Sequence, residues 1–273
     1  MTQSIPSPLR QRLSALTHDR HGRLMWVTLA LLLVIAIAVG TIHQSRRAAD
    51  SGNHYAAAIP AGERARMEQV VHDYLLSHPE IIPEAVKRLQ DRQVAELVQA
   101  NRQDIETPFD GAWAGAKNGD VTLVEFFDYA CPYCRASNND VKRLLAEDPK
   151  LKVVWRDFPV LGPDSEQAAM ASLSAARQNH FRTYYDTMFE TGRPDRAQVI
   201  RAVRVAKMNE MQTAGDMDSQ EFKNEIQKNL ELGRALGLTG TPSYVIGDQI
   251  LNGAVGYQAL KDAIAKAREA RRS

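Results

Sequence analysis

The sequence has little cysteine, no strong excess of charge and no paired histidines. Its 273 residues include two cysteines, 34 basic and 33 acidic residues, so the formal net charge is +1. A nearly neutral chain gives no indication of a nucleic-acid surface. The seven histidines lack the i, i+4 spacing that places two metal ligands on one helical face. We therefore expect no nucleic-acid partner, no metal site and no cofactor.

A long charge-free segment lies near the amino terminus, at residues 24–42. At 1.5 Å per residue, a helix over this segment would match the hydrocarbon core of a bilayer, about 30 Å thick. More arginines precede the segment than follow it closely, so residues 1–23 are expected to stay in the cytoplasm and the body to lie outside. A cleaved signal peptide is the alternative. Both interpretations deliver the body to the same oxidising compartment, with residues 43–60 as a polar linker.

Residues 61–106 have the pattern of a helical neck. A first helix is predicted over residues 63–76. The capping-box spacing of Ser77 and Glu80 then predicts a second helix over residues 79–105. The apolar residues of this second helix recur at steps of three and four, with a change of phase in the middle: Ile82, Val86 and Leu89, then Val94, Val98 and Ile105.

That apolar pattern has two interpretations. It fits a coiled-coil seam through which residues 63–105 would form a homo-oligomer, with Asn101 as a polar residue that sets the register. It equally fits a helix packed on its own domain.

Residues 107–273 have the pattern of a mixed α/β domain. Apolar runs at 121–127 and 151–155, with a helix between them, predict a βαβ unit whose two strands are parallel. A helical block over about residues 163–237 follows, and then two short strands and a final helix. The predicted fold is a mixed sheet flanked by helices, with an inserted helical subdomain.

The two cysteines form a Cys131-Pro132-Tyr133-Cys134 sequence directly after the first predicted strand, at the start of a helix. Free N–H groups and the dipole at a helix amino terminus favour a thiolate and lower the pKa of Cys131. Pro132 costs no hydrogen bond in the first turn. Half of a zinc site would need two further ligands, and a structural disulfide across so short a loop would add little stability. The spacing therefore favours a redox-active pair.

Two further positions could take part in thiol chemistry. Glu125 lies in the middle of the first apolar strand, either buried with a raised pKa and able to exchange protons with the thiols, or at an exposed position. Pro242 must lie at the start or edge of a strand, because it cannot donate to the ladder. A cis Thr241–Pro242 bond is possible, but the base rate for X-Pro bonds of about 5–6% favours trans.

Several motifs occur in the order and spacing of one known family. Residues 124–129 before the cysteines, residues 156–162 and residues 240–243 resemble the DsbA family of thiol–disulfide oxidoreductases, within the thioredoxin superfamily. The resemblance extends over about residues 116–271. Residues 73–80 resemble the amino-terminal region of the ScsC-like (suppressor of copper sensitivity) branch.

The resemblance implies a thioredoxin-like fold and a role for each site residue. Cys131 would be the exposed nucleophile, Cys134 its buried partner and Glu125 a buried acid. A cis Thr241–Pro242 bond would face the disulfide, and the Thr241 backbone would pair with an extended substrate.

The resemblance also implies that Thr241, Pro242, Pro132 and Tyr133 contact the substrate. The inner pair Pro132-Tyr133, which tunes the redox potential, departs from that of many DsbA-type oxidases. Relatives in the ScsC-like branch include oligomeric isomerases, so the direction of exchange, as oxidase, isomerase or reductase, stays open.

The expected protein is a single-pass protein of the bacterial inner membrane with its catalytic domain in the periplasm. Its partners would be client proteins with thiols or disulfides and a membrane redox partner of unknown identity. One alternative is a copper-binding or copper-tolerance protein that uses Cys131 and Cys134 as soft ligands. Another is a tethered scaffold or holdase that uses its helices.

Overall fold

The computed structural model describes residues 60–190 and 192–272. The predicted cytoplasmic arm, membrane anchor and nearly all of the linker lie outside these ranges. Within them, no helix is long and apolar enough to cross a membrane. The chain divides into two compact units between Ile82 and Pro83.

The first unit contains helix α1, Ala61–Ser77, and the first residues of α2, Ile81–Glu106. The predicted capping box is wrong. The Ser77 hydroxyl donates to the carbonyl of Asp73 at 2.7 Å within its own helix, and Glu80 contacts His78 at 3.2 Å instead. Five large apolar side chains of α1 are more than half exposed: Met67, Val70, Val71, Tyr74 and Leu76.

The carboxyl half of α2 belongs to the core of the second unit. Val98 and Ile105 are buried against one face of the sheet. The buried Arg156 guanidinium donates to the carbonyls of Ile105 at 3.0 Å and Thr107 at 2.6 Å. These bonds satisfy carbonyls at the helix end that have no partner within the helix. Of the two interpretations of this apolar pattern, packing on the chain's own domain therefore holds for the carboxyl half of α2.

A five-stranded mixed sheet forms the centre of the second unit, in the order β1-β3-β2-β4-β5. Only β2 and β3 are parallel, and the other neighbours are antiparallel. Helices cover both faces of β2, which explains its continuous apolar run. The strands are β1 Trp113–Gly115, β2 Val121–Phe127, β3 Leu151–Asp157, β4 Ser243–Ile246 and β5 Gln249–Asn252.

The predicted βαβ unit is confirmed, with α3, Pro132–Glu147, between β2 and β3. Strand β1, for which the sequence analysis predicts no element, adds an antiparallel edge strand. The predicted helical block is also present, as five helices in the described residues between β3 and β4. The remaining helices are α4 Pro163–Arg177, α5 Phe181–Glu190, α6 Arg196–Val205, α7 Glu210–Asp218, α8 Gln220–Ala235 and α9 Tyr257–Ala270.

The insertion closes over the end of β2 through aromatic side chains. Tyr185 and Phe189 of α5 pack edge-on against Phe127 and against one another. Tyr129, just beyond β2, contacts the same rings. The chain that leads into the cysteine pair is therefore fixed by a buried aromatic cluster.

Candidate active site

Cys131 is the N-cap residue of α3, and Pro132 occupies the first helical position. Both cysteines are free thiols. Cys131 is 4% exposed and Cys134 is fully buried. Cys131 is thus less exposed than the resemblance implies. Its Sγ lies 3.1 Å from the Thr241 carbonyl oxygen, to which the protonated form of the thiol donates a hydrogen bond.

The two thiols have pKa values shifted in opposite directions. A hydrogen bond from Cys134 contributes most to lowering the pKa of Cys131 to about 5, assisted by the Thr241 side chain and the backbone N–H groups of Cys134 and Tyr133. Burial raises the pKa of Cys134, and the neighbouring Cys131 and Glu125 raise it further. At neutral pH, Cys131 is therefore the thiolate and Cys134 the protonated thiol.

Glu125 is fully buried, in the middle of β2. The Trp155 indole donates to Oε2 at 2.9 Å, the Tyr185 hydroxyl donates to the same oxygen at 3.1 Å, and the Tyr244 hydroxyl donates to Oε1 at 3.4 Å. Burial raises the pKa of Glu125 to about 7, while the three hydrogen bonds oppose the shift. Both protonation states are accessible near neutral pH, as a proton exchange partner requires.

The Thr241–Pro242 bond is cis, as the resemblance implies and against the base rate for X-Pro bonds. Thr241 is half-buried and faces Cys131, whereas Pro242 is buried. Pro132 and Tyr133, the two residues that follow Cys131, are exposed. Of the four predicted substrate-contacting residues, three are therefore accessible to a client.

Sequence reasoning gave no role to Asp128, which is 2% exposed and lies between β2 and Cys131. Its Oδ1 accepts from the Ala130 N–H at 2.8 Å, and its Oδ2 accepts from the N–H groups of Val160 at 2.8 Å and Leu161 at 3.0 Å. An Asp two residues before Ala130 has the spacing of an Asx turn, a signal that the sequence contains. The contact with residues 160–161 has no local signal.

No group of three or more His, Cys, Asp or Glu side chains in residues 60–190 and 192–272 is arranged to hold a metal ion.

A dithiol with one thiolate and one protonated thiol can reduce the disulfide of another protein and become a disulfide itself. That disulfide can in turn oxidise a pair of thiols. Set at a helix start on this sheet, such a pair defines a thiol–disulfide oxidoreductase with a thioredoxin-like fold. The chain belongs to the family of DsbA-like thioredoxin-domain proteins, whose model matches residues 122–265. A second model, the copper resistance protein ScsC N-terminal domain, matches residues 63–96.

Several known proteins are similar to this chain. A thioredoxin-like oxidoreductase from Silicibacter pomeroyi DSS-3 is 36% identical, with a TM-score of 0.56, and the match covers 57% of this chain and 91% of that one. A linker-deletion variant of Proteus mirabilis ScsC is 27% identical, with a TM-score of 0.60, and the match covers 78% and 98%. The probable disulfide bond formation protein D of Bacillus anthracis is 26% identical over 166 residues, 56% of this chain and 76% of that protein. The resemblance to the DsbA family and its ScsC-like branch is confirmed.

Proposed function

We propose that this protein exchanges disulfides with client proteins in the periplasm through Cys131 and Cys134, and that residues 24–42 tether it to the inner membrane. The observation that carries the proposal is the position of Cys131 at the start of α3, with its Sγ 3.1 Å from the Thr241 carbonyl, and the full burial of Cys134 in the first turn of the same helix. This arrangement lowers the pKa of Cys131 to about 5 and raises that of Cys134. Stabilising the Cys131 thiolate favours the reduced protein, so its disulfide is an oxidant for client thiols. This supports the oxidase direction.

In the oxidase direction, the resting protein has a bond between Cys131 and Cys134. A client thiolate attacks the Cys131 sulfur, a client–Cys131 disulfide forms, and Cys134 leaves as a thiolate. The Cys134 thiolate then takes a proton from Glu125, because burial raises the pKa of Cys134. A second client thiolate attacks the client sulfur of the mixed disulfide and releases Cys131 as a thiolate.

The client loses two electrons in this cycle, and the protein gains them. The membrane redox partner supplies the oxidant that re-forms the bond between Cys131 and Cys134. In the isomerase direction, the protein instead rests reduced, and the Cys131 thiolate attacks a disulfide that the client already contains.

The test is to trap clients with Cys134→Ser in the full-length protein. The variant keeps the Cys131 nucleophile but lacks the resolving thiol, so non-reducing gels should show mixed disulfides that disappear on reduction. Cys131→Ser is the matched control and should show none. If Cys134→Ser forms no adducts while its Cys131 still reacts with an alkylating reagent, client exchange is the wrong function.

Retention of the tether is tested separately by the intact mass of protein extracted from the membrane. The full mass is expected. A chain that starts after about residue 40 would indicate a removed signal peptide instead.

Self-association through the neck would add isomerase capability, because several Cys131 sites could then act on one misbridged client. The exposed apolar side chains of α1 support this proposal. Since Val98 and Ile105 are used in the domain core, the seam would be confined to the amino-terminal part of residues 63–105.

A second candidate function is copper handling, favoured by the match of residues 63–96 to the copper resistance protein ScsC N-terminal domain. Two thiols are suitable ligands for Cu(I). Titration of the reduced protein with Cu(I) against a competing chelator tests this role. One tightly bound ion that is lost in both Cys131→Ser and Cys134→Ser would favour it, whereas no retained copper would contradict it.

A further inference from the structure

A cleft of about 700 Å³ lies in the second unit, at the end of the sheet opposite the cysteine pair. Strand β2 starts at this end with Val121, which lines the cleft, and leads toward Cys131 at the other end. The walls are α2, the turn between β4 and β5, and the last turns of α9. Ligand sites in proteins have volumes of about 300–1,000 Å³. The cleft is therefore large enough for a ligand and lies apart from the thiols.

The turn between β4 and β5 is attached to both helices that form the walls. The Arg102 guanidinium of α2 donates to the Gly247 carbonyl at 3.4 Å and to the Asp248 carboxylate. On the other side, Gly247 has a φ of +59° and lies so close to α9 that an added Cβ would be 2.8 Å from the Ala267 Cβ. Glycine therefore suits this position both in its backbone conformation and in the space that it needs. The shape of the cleft is thus set by the fold before any ligand binds.

Three acidic residues line the cleft, and each is paired with a basic residue of the same lining. Lys87 donates to both carboxylate oxygens of Asp91, at 2.9 and 2.8 Å. Arg102 pairs with Glu106 at 2.8 Å and also with Asp248. The three carboxylates are therefore held by these two cations, and no other cation of the lining forms an ion pair with them.

Three further basic residues line the cleft and form no ion pair within residues 60–190 and 192–272: Arg92, Lys266 and Arg271. The Lys266 ammonium donates to the amide oxygen of Gln249 at 3.3 Å, and Arg271 donates to the Asp120 carbonyl. Both acceptors are neutral. Five basic and three acidic side chains give the lining a net charge of +2, whereas the whole chain carries +1. The cleft thus concentrates positive charge and favours an anionic ligand.

The same cleft also offers apolar surface. Val121 and Ala267 are buried, and Val94, Ile250 and Leu251 are half-buried, whereas the three unpaired cations are exposed. A ligand that uses both features combines an anionic group with an apolar part. A small inorganic anion would leave the apolar surface uncovered.

We propose that the cleft binds the head group of an anionic membrane lipid. The lipid phosphate contacts the three unpaired cations, which donate charge-assisted hydrogen bonds to its oxygens, and the start of the acyl chains covers the apolar residues. The proposed tether, residues 24–42, keeps lipid near the domain, so the source of the ligand rests on the proposed function. The binding itself goes beyond disulfide exchange, because the cleft and the thiols lie at opposite ends of the sheet.

The test measures lipid binding to the full-length protein by native mass spectrometry in a non-ionic detergent. Dioleoyl phosphatidylglycerol is the anionic lipid. Dioleoyl phosphatidylcholine has the same acyl chains on a zwitterionic head group, and glycerophosphoglycerol is the anionic head group without acyl chains. Lipids around residues 24–42 contribute equally in every variant, so differences between variants report on the cleft.

The parent protein should bind phosphatidylglycerol about ten-fold more tightly than phosphatidylcholine. A large excess of glycerophosphoglycerol should displace little of the bound lipid, because the head group alone leaves the apolar surface uncovered. Equal binding of the two lipids would overturn the anionic ligand. Complete displacement by glycerophosphoglycerol would overturn the lipid in favour of a free phosphate compound.

The combination of Arg92→Gln and Lys266→Gln removes two exposed cations of the cleft. The affinity for phosphatidylglycerol should fall about ten-fold, and that for phosphatidylcholine should change little. Lys223→Gln combined with Arg234→Gln removes the same charge from exposed positions on α8, outside the cleft, and should keep the parent affinity. An equal loss in both double variants, or no loss in the cleft variant, would overturn the site.

The urea unfolding midpoint checks that each double variant is folded, and it should equal that of the parent because all four side chains are exposed. Failure of client trapping by Cys134→Ser would refute disulfide exchange but not this site, and failure of lipid binding would refute the site but leave disulfide exchange intact.

Discussion

The indole of Trp155 donates a 2.9 Å hydrogen bond to the Glu125 carboxyl, and the two residues are register partners on the parallel strands β3 and β2. Tyr185, from the helical insertion, donates to the same oxygen. The insertion therefore contributes directly to the environment of the buried acid. Because these bonds favour the charged form, they limit how far burial can raise its pKa.

Removing the indole donor should raise the pKa of Glu125. In Trp155→Phe, the carboxylate loses its shortest hydrogen bond, so its pKa should rise above the value of about 7 in the parent. The infrared carbonyl band of the protonated carboxyl, followed against pH, measures this shift. Glu125→Gln identifies the band by its loss. A midpoint that stays unchanged or falls would show that the indole does not stabilise the carboxylate.

Glu125 should make the protein less stable as pH rises. The pKa of Glu125 is higher in the folded protein than in the unfolded chain, because the fold favours the protonated carboxyl. The contribution of Glu125 to the free energy of unfolding is therefore fully present below about pH 4.5, falls between pH 4.5 and 7, and is constant above pH 7. The loss amounts to about 3 kcal/mol. The free energy of unfolding is measured with urea for the reduced parent protein and for Glu125→Gln at several pH values between 4.5 and 7. The difference between parent and variant should change by this amount over that pH range. A difference that does not vary with pH would contradict the buried acid.

The ionisation of Cys131 should depend on Cys134. The ultraviolet absorbance of the thiolate should show a transition with a midpoint at about pH 5 in the reduced protein. Cys134→Ala removes the hydrogen bond that contributes most to the shift, so the midpoint should move upward. Cys131→Ser should lack the transition. If the transition persists in Cys131→Ser, Cys134 is the acidic thiol and the roles of the two cysteines are reversed.

Arg156 should be needed to hold the end of α2 on the domain. In Arg156→Met, the carbonyls of Ile105 and Thr107 lose their donor, which should cost about 3 kcal/mol of unfolding free energy. Arg204→Met is a control at an exposed ion pair with Glu210 and should change stability little. Denaturant titration compares the two variants, and equal effects would contradict the structural role of Arg156.

The neck should lose its self-association when its exposed apolar residues are charged. Light scattering at micromolar concentration should give a mass above that of a monomer for the parent. Val70→Glu combined with Tyr74→Glu should give a monomer, because these residues lie one turn apart on α1 and are both more than half exposed.

Val205→Glu, at an exposed position on α6, should leave the mass unchanged. A monomeric parent would refute the oligomer and remove the support for isomerase activity.

Much of the catalytic domain could be predicted because its signals are local. The continuous apolar run over β2, Pro132 in the first turn of α3 and the spacing of the two cysteines lie within a few residues of one another. Strand β1 and helix α7 lack such local signals. Three residues of β1 have too little pattern to indicate a strand, and α7 carries one buried residue, Thr213.

The sequence by itself determined the order of elements around Cys131, the position of the pair at a helix start and the family to which the chain belongs. Tertiary structure alone decided the burial of Glu125, since Tyr185 and Tyr244 come from distant parts of the chain. It also decided the different environments of the two halves of α2 and the contact of Asp128 with residues 160–161. The physical reason is that strand pairing and the folding back of the insertion bring these groups together, and no periodicity within a short segment encodes a partner that is many residues away.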